Sequence, residues 1–400
     1  MKDGESEENE YFCKAKRRGG EKMEKNINNK QIKVYLIIMK KFFLIAVAAC
    51  VALASCTKNE VAPSDPQEIT YQAVIGPSSK ALLTGTAYPT GQTFGAIAYS
   101  SADPSTPYIN AAEVSYNTTG KYWSTATPYY WPVNASLTFY SYSPFKYSEL
   151  GGAAISVAST ATGISIDNYD VAAHQETDLM VADVQRDLTA NNHQIAGWVK
   201  GVNTQFRHKL SQVVGINFKT VNTQDPSQVK DYANGHDGTT GNEYEAGDQQ
   251  YVINSVTIKN VYFTGDYEYD ATSDPVVETW TPKGSVTAST SWISASKNLV
   301  AGTLPTVREG AANNYLLVLP QEFTTEDAVI CVNYSIHTYI NDSDFSTETI
   351  EANIPLKEVH TSSKWDMNKK ITYEIKMSKQ RIYWAPSIVD WGTENPSTTI

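Results

Sequence analysis

The chain has 400 residues, including 25 Tyr, and carries 32 Lys+Arg against 43 Asp+Glu for a formal net charge of −11 at pH 7. That acidity argues against a nucleic-acid partner, because binding the phosphate backbone relies on Lys and Arg neutralising its charge. It suits a protein kept soluble at a cell surface by its own charge.

Residues 1–38 are mostly polar, with basic clusters such as Lys14, Lys16, Arg17 and Arg18 and no amphipathic period. They are read as an extension ahead of a true start at Met39, and they carry no fold information. From Met39 to Cys56 the sequence is MKKFFLIAVAACVALASC. Lys40 and Lys41 precede an apolar run from Phe42 to Leu53, and Leu53-Ala54-Ser55-Cys56 supplies a small-residue cleavage site. This is the order of a secretory signal, and the run falls short of the roughly 18 to 20 residues of a spanning helix. A cysteine directly after Leu-Ala-Ser resembles a lipobox, so residues 39–55 are expected to be a lipoprotein signal peptide. Cys56 is then the lipid attachment site, bearing palmitate-type acyl chains, and it anchors the chain to a membrane. Removal of residues 1–55 would leave 21 Lys+Arg against 36 Asp+Glu, a balance of −15. It would also leave Cys331 as the one unmodified cysteine, so no intrachain disulfide is expected although an exported compartment permits one.

Residues 56–67 form a polar tether. The body beyond is rich in Thr, Ser, Tyr and Val, and is punctuated by Gly, Pro, Asn and Asp, a composition that favours strands and turns. Period-two alternation predicts a strand through Phe206–Phe218, with Phe206, His208, Leu210, Gln212, Val214, Ile216 and Phe218 on one face. It predicts others with Ala328, Ile330, Val332, Tyr334 and Ile336 inward, and with Ile371, Tyr373, Ile375 and Met377 inward. One apolar face per strand implies antiparallel sheets packed on one side. The expected fold is therefore all-β: two tandem antiparallel β-sandwich domains over 68–222 and 251–400. The polar stretch 223–250 would be the linker between them, or else a long surface loop within one domain.

Constellations for chemistry are few. The six histidines form no H-E-x-x-H pattern, no G-x-S-x-G elbow or phosphate-binding glycine loop occurs, and no metal or cofactor is implied. Cys331 and His337, six apart on one strand, would be about 20 Å from each other, too far for proton transfer. Asp178 and Asp183 flank Leu179–Ala182 and read as turn or strand-end residues. His208 reads as a satisfied core histidine. Tyr129-Tyr130-Trp131 could stack on sugars, but aromatic strand residues more often fill cores. Asp266, Glu268, Asp270 and Asp274 begin like a calcium loop, which Ala271 and Val277 then fail to complete.

Several strings, in order, resemble the fimbrillin family of Bacteroidales, including its minor-fimbrillin-like branch. They are the lipobox at Cys56, Ile69-Thr70-Tyr71-Gln72-Ala73, Phe94–Tyr99, Tyr130-Trp131-Pro132 with Leu137–Pro144, Asp178–Ala182, Phe206–Leu210, Leu317–Gln321, Trp365–Ile375 and Ile388–Trp391. The resemblance implies transthyretin-like sandwich domains, no enzyme activity, and pilus subunits that cross the envelope as lipoproteins to the outer membrane and cell surface. In that family a trypsin-like protease releases the first strand, and another subunit's terminal strand fills the groove. Here the released strand would include Ile69–Ile75, the donor would lie near Arg381–Trp391, and the partners would be other fimbrial subunits and possible host or bacterial surface receptors. Two features depart from the pattern. No arginine lies between Cys56 and Arg186, so Lys80-Ala81 is the nearest cleavage point, and Pro386 removes one ladder donor from the donor strand. The alternative reading is a surface glycan-binding lipoprotein of a polysaccharide-uptake system.

Overall fold

Alternation every second residue dictates extended chain, and the computed structural model is built almost wholly of strands. It describes residues 67–76, 86–147, 153–193, 201–220, 249–286, 290–293, 297–298, 315–341, 344–360, 362–377 and 382–391. The first twelve strands are β1 (Tyr71–Ile75), β2 (Thr86–Ala87), β3 (Phe94–Ser100), β4 (Asp103–Asn117), β5 (Tyr122–Thr125), β6 (Leu137–Ser143), β7 (Ala158–Thr160), β8 (Gly163–Asp170), β9 (Met180–Ala182), β10 (Gln185–Leu188), β11 (Val202–His208) and β12 (Ser211–Thr220). The others are β13 (Gln249–Lys259), β14 (Thr264–Asp270), β15 (Val277–Lys283), β16 (Thr290–Ile293), β17 (Lys297–Asn298), β18 (Leu316–Val318), β19 (Gln321–Glu322), β20 (Val329–Asn341), β21 (Asp344–Pro355), β22 (Lys364–Trp365), β23 (Lys369–Met377) and β24 (Ile382–Asp390). A single helical turn, Leu356–Val359, follows β21.

The first sheet runs β6-β3-β4-β5-β1-β11-β9 and then closes, because β9 pairs back onto β6 through Tyr142–Val181 and Ser143–Met180. β10 continues along β6 beyond β9. Closure removes the open edges that an isolated sheet would present. The interior is a cage of rings centred on Phe94, which meets Tyr71 at 5.8 Å, Tyr88 at 5.6 Å, Trp123 at 5.5 Å and Phe206 at 5.2 Å between centroids. These are edge-on and tilted contacts, the geometry aromatic quadrupoles favour.

β3 is buried on both faces. Phe94, Ala96 and Ala98 point into the cage, whereas Ile97 and Tyr99 join a second core with Tyr140, Tyr142, Ile164, Ile166 and Tyr267. That second core is covered by three sheets, ordered β15-β14-β8-β7, β18-β12-β23-β24 and β16-β13-β20-β21 with β17 beside β13, and by the short β19–β22 ladder.

The all-β expectation agrees with this architecture, but two details differ. Pairing is parallel between β1 and β11 and between β12 and β23, which a period of two cannot distinguish from antiparallel pairing. The sheets also cross the expected division between 68–222 and 251–400: β8 pairs with β14, and β12 with β18 and β23. Most of the 223–250 stretch lies outside the described residues.

The single strand expected over Phe206–Phe218 is two strands in different sheets, broken at Lys209–Leu210. A register shift between Val213 and Gly215 then changes which residues face inward, so Val213 is fully buried and Val214 is not. A bulge of this kind puts two residues opposite one. Ile371, Tyr373 and Ile375 are buried as the alternation predicts, and so are Ile330, Val332, Tyr334 and Ile336.

One polar knot lies deep in the second core. Tyr373 Oη accepts from Trp365 Nε1 at 2.9 Å and lies 2.7 Å from His360 Nε2. Burial pushes the His360 imidazole down to about 4, so it is neutral in the folded chain. Its pKa is depressed relative to the ordinary value near 6.5, so the unfolded chain takes up the proton first as pH falls. Stability from this residue is therefore complete above about pH 6.5 and declines towards pH 4, by about 3 kcal/mol. Denaturant titrations at pH 7 and pH 4 check this: His360→Gln should show a shallower pH dependence than the parent.

Candidate functional site: the seat of the first strand

The alternation in Ile69-Thr70-Tyr71-Gln72-Ala73 places Ile69, Tyr71 and Ala73 on one face, and these three are buried. They plug the ring cage, where Tyr71 stands edge-on to Phe94 and to Phe139, at 5.8 Å and 6.2 Å. β1 is inserted into the wall and is not an edge. It runs parallel to β11 from Tyr71–Val202 to Ile75–Phe206, and on its other side it meets β5 at Tyr71–Trp123 and β2 at Val74–Ala87 and Ile75–Thr86. Backbone bonds extend the seat at both ends: Ile69 N–H donates to Tyr129 O at 2.8 Å, Val202 N–H to Thr70 O at 2.7 Å and Gly76 N–H to Phe206 O at 3.3 Å.

Gly201 fixes the entrance. Its φ is +122°, and a Cβ there would lie 2.8 Å from the Tyr71 carbonyl carbon and 2.9 Å from Thr70. Glycine is required both for the backbone conformation and for the closeness of β1. At the far end, Arg207 Nη1 donates to Gly76 O at 3.5 Å, while its Nε and Nη2 hold both oxygens of Asp183. This fork fixes the last residue of the seat to β9.

β1 and β2 are joined through residues 77–85, which contain Lys80 and Ala81. Those two residues and Cys56 lie outside the described residues. The other strand singled out by sequence, β24, pairs with β23 from Lys369–Asp390 to Met377–Ile382 and ends its sheet; Arg381 is outside the described residues. Pro386 stands opposite Tyr373 in that ladder. Trp391 then folds inward: its N–H donates to Asn368 O at 2.8 Å, and its indole stacks on His208 at 4.1 Å.

The remaining candidates resolve into structural roles. Asp178 and Asp183 are held by consecutive residues of β11, Asp178 by His208 Nδ1 at 2.7 Å and Asp183 by Arg207. Asp266 is taken by Lys283 and by the Asn168 N–H. Cys331 is buried in β20, and His337 stacks on Phe345 at 4.4 Å. Of Tyr129-Tyr130-Trp131, Trp131 is buried and stacks on His193 at 4.7 Å, while Tyr130 is exposed. Sequence reasoning missed the pair of buried Lys209 and half-buried Glu278, 2.5 Å apart, in which Tyr267 Oη also donates to Glu278 at 2.6 Å. Burial depresses the Lys209 ammonium pKa, and the nearby Glu278 carboxylate opposes that shift. In the sequence Lys209 follows Arg207 and His208, and nothing in that basic stretch marks it as the buried one.

The sequence matches the fimbrillin-like family over residues 81–391. No curated protein matches it. Among solved structures, a fimbrial protein from Bacteroides vulgatus superposes with a TM-score of 0.53 at 15% identity, covering 80% of this chain and 99% of that one. A candidate cell adhesion protein from Bacteroides uniformis gives 0.43 at 16%, covering 81% and 99%, and the C-terminally truncated tip fimbrial protein of Porphyromonas gingivalis gives 0.30 at 8%, covering 82% and 100%. The first of these supports the fold.

Gly201→Ala is expected to cost about 2 kcal/mol, through the strained φ and the overlap with β1. The loss should appear first at β1: hydrogen exchange at the Val202 and Gly76 amides should rise before exchange in β20 or β23. Equal exchange in all these strands would show that Gly201 does not govern the seat.

Proposed function

Because the chain belongs to the fimbrillin-like family, we propose that it is a fimbrial structural or adhesive subunit, anchored at the cell surface by lipid on Cys56 and joined to neighbouring subunits by strand donation. The observation that carries this reading is the seat of β1. The strand is held between two ladders, its inward side chains plug an aromatic cage, and its covalent link to β2 is the 77–85 segment. A cut at Lys80-Ala81 would leave β1 attached by non-covalent contacts alone. Loss of the strand would expose two unpaired strand edges and an apolar slot, and a donated strand satisfies both together.

β24 supports the donor role. It is an edge strand at the end of the described chain, paired with β23 alone in its sheet. Its departure breaks one ladder, whereas insertion into the seat of β1 makes two. Partners in this reading are other fimbrial subunits, the outer membrane through the lipid, and a receptor on a host or bacterial surface.

Limited digestion with a trypsin-like protease tests the assembly step. Cleavage after Lys80, carried out in a mixture with other fimbrial subunits, should release the β1 fragment and yield oligomers, and Lys80→Gln should prevent both. A confirmed cut after which no complex forms with a second copy or with any other subunit would count against strand donation. The anchor is tested separately: Cys56→Ser should abolish labelling by radioactive palmitate and move the protein from the membrane fraction to the soluble one.

A further inference from the structure

One atom in the seat does not fit. The Tyr71 hydroxyl is fully buried without a hydrogen-bond partner among the described residues. Four other large buried tyrosines are satisfied: Tyr88 bonds Ser143 at 2.6 Å, Tyr140 donates to Ala161 O at 2.9 Å, Tyr169 to Thr177 O at 3.2 Å and Tyr267 to Glu278 at 2.6 Å. The cage holds one more orphan, the Trp131 Nε1–H, whose ring packs on the same Phe139 at 5.5 Å, so the hydroxyl is not bonded to that donor either. The ring of Tyr71 is well placed against Phe94 and Phe139, and the oxygen alone is misplaced. A hydroxyl that sheds water and gains no partner is unfavourable, whereas the same ring without it would lose nothing.

We infer that the seat selects against a hydroxyl at the Tyr71 position, so that β1 is a placeholder and the strand that displaces it comes from a different subunit and carries phenylalanine or an aliphatic residue there. This rests on the strand-exchange reading above. The recognised chemistry is an extended segment with apolar side chains at alternate positions, a large one lacking a hydroxyl where Tyr71 lies and a small one two residues later, where Ala73 is buried. The chain's own terminal strand does not meet that description. Tyr383-Trp384-Ala385 in β24 keeps the Tyr-x-Ala spacing of Tyr71-Gln72-Ala73, so in the register that seats Ala385 in the place of Ala73 a tyrosine hydroxyl returns to the same apolar cage. A second copy of this chain thus has no side-chain advantage over the resident strand, and a subunit of different sequence does.

Two measurements decide the question. In the intact full-length chain, Tyr71→Phe should raise the melting temperature; a lower melting temperature would show that the hydroxyl is satisfied in solution and would overturn the inference whether or not cleavage occurs. In the protein cut after Lys80, fluorescent synthetic strands of residues 68–76, unchanged or with Tyr71→Phe, should displace the resident fragment. The Phe form should be about tenfold more effective, and a strand of residues 381–389 no better than the unchanged form. Equal or better displacement by the tyrosine form overturns the inference. If the cut protein keeps its fragment against every strand, it is the exchange reading that fails, and the melting comparison on the intact chain still decides the hydroxyl's role.

Discussion

The structure depends on the parallel seam between β1 and β11. Adjacent antiparallel strands can be joined by a tight turn, but parallel neighbours need a crossover, and here most of the first sheet lies between the two strands in sequence. The ring around the Phe94 cage is completed only when residues near 71 meet residues near 202. Without that seam β5 and β11 both become edges, and the cage loses Ile69, Tyr71 and Ala73 from its filling. The closed wall thus has one segment that is both essential to closure and joined to the rest on one side by a short connection.

The cage is not an isolated body. β3 serves two cores, with Phe94 and Ala98 on one side and Ile97 and Tyr99 on the other. From β11 to β12 the chain passes directly from one sheet to another, and three consecutive residues at that passage are each fastened to a different acid: Arg207 to Asp183, His208 to Asp178 and Lys209 to Glu278. In the Lys209–Glu278 pair the lysine is buried and the half-buried glutamate keeps some hydration, so the pair contributes little net stability against an apolar alternative. Removing one member is costly, so such pairs oppose any other arrangement of the passage. Trp391 stacks on His208 at the same place, bringing the end of β24 onto the strand that walls the seat.

Period-two alternation made much of this legible. The burial of Ile371, Tyr373 and Ile375, and of Ile330, Val332, Tyr334 and Ile336, follows from spacing alone. Alternation did not reveal the break at Lys209–Leu210 or the shift at Gly215, because the apolar residues continue through both and only the sheet partner changes. Nor could it show that β8 pairs with β14 across the polar stretch, since sheet partners depend on long-range packing. The seat was half legible: Ile69–Ala73 was recognisable as a strand, but its pairing with β11, the role of Gly201 and the Arg207–Asp183 fork all depend on residues more than a hundred positions away in sequence.

β1 and β24 differ in how they are held, and in the proposed strand exchange that difference sets the direction. β24 has one ladder partner in its sheet and exposes Ile388, whereas β1 has neighbours on both sides and buries alternate side chains in rings. Moving a strand from an edge into a gap between two strands increases backbone pairing, so in the proposed exchange the ladder favours donation, less one bond where a proline such as Pro386 has no N–H to give. Side chains must then decide which strand stays. Occupants with a full set of backbone amides make the same bonds in the seat, and among them discrimination falls to the inward positions at 69, 71 and 73. Of these, only position 71 carries a polar atom into the apolar cage. A seat that accepts any backbone but penalises its own resident at one atom can remain closed in an isolated subunit and still yield to a better-matched neighbour.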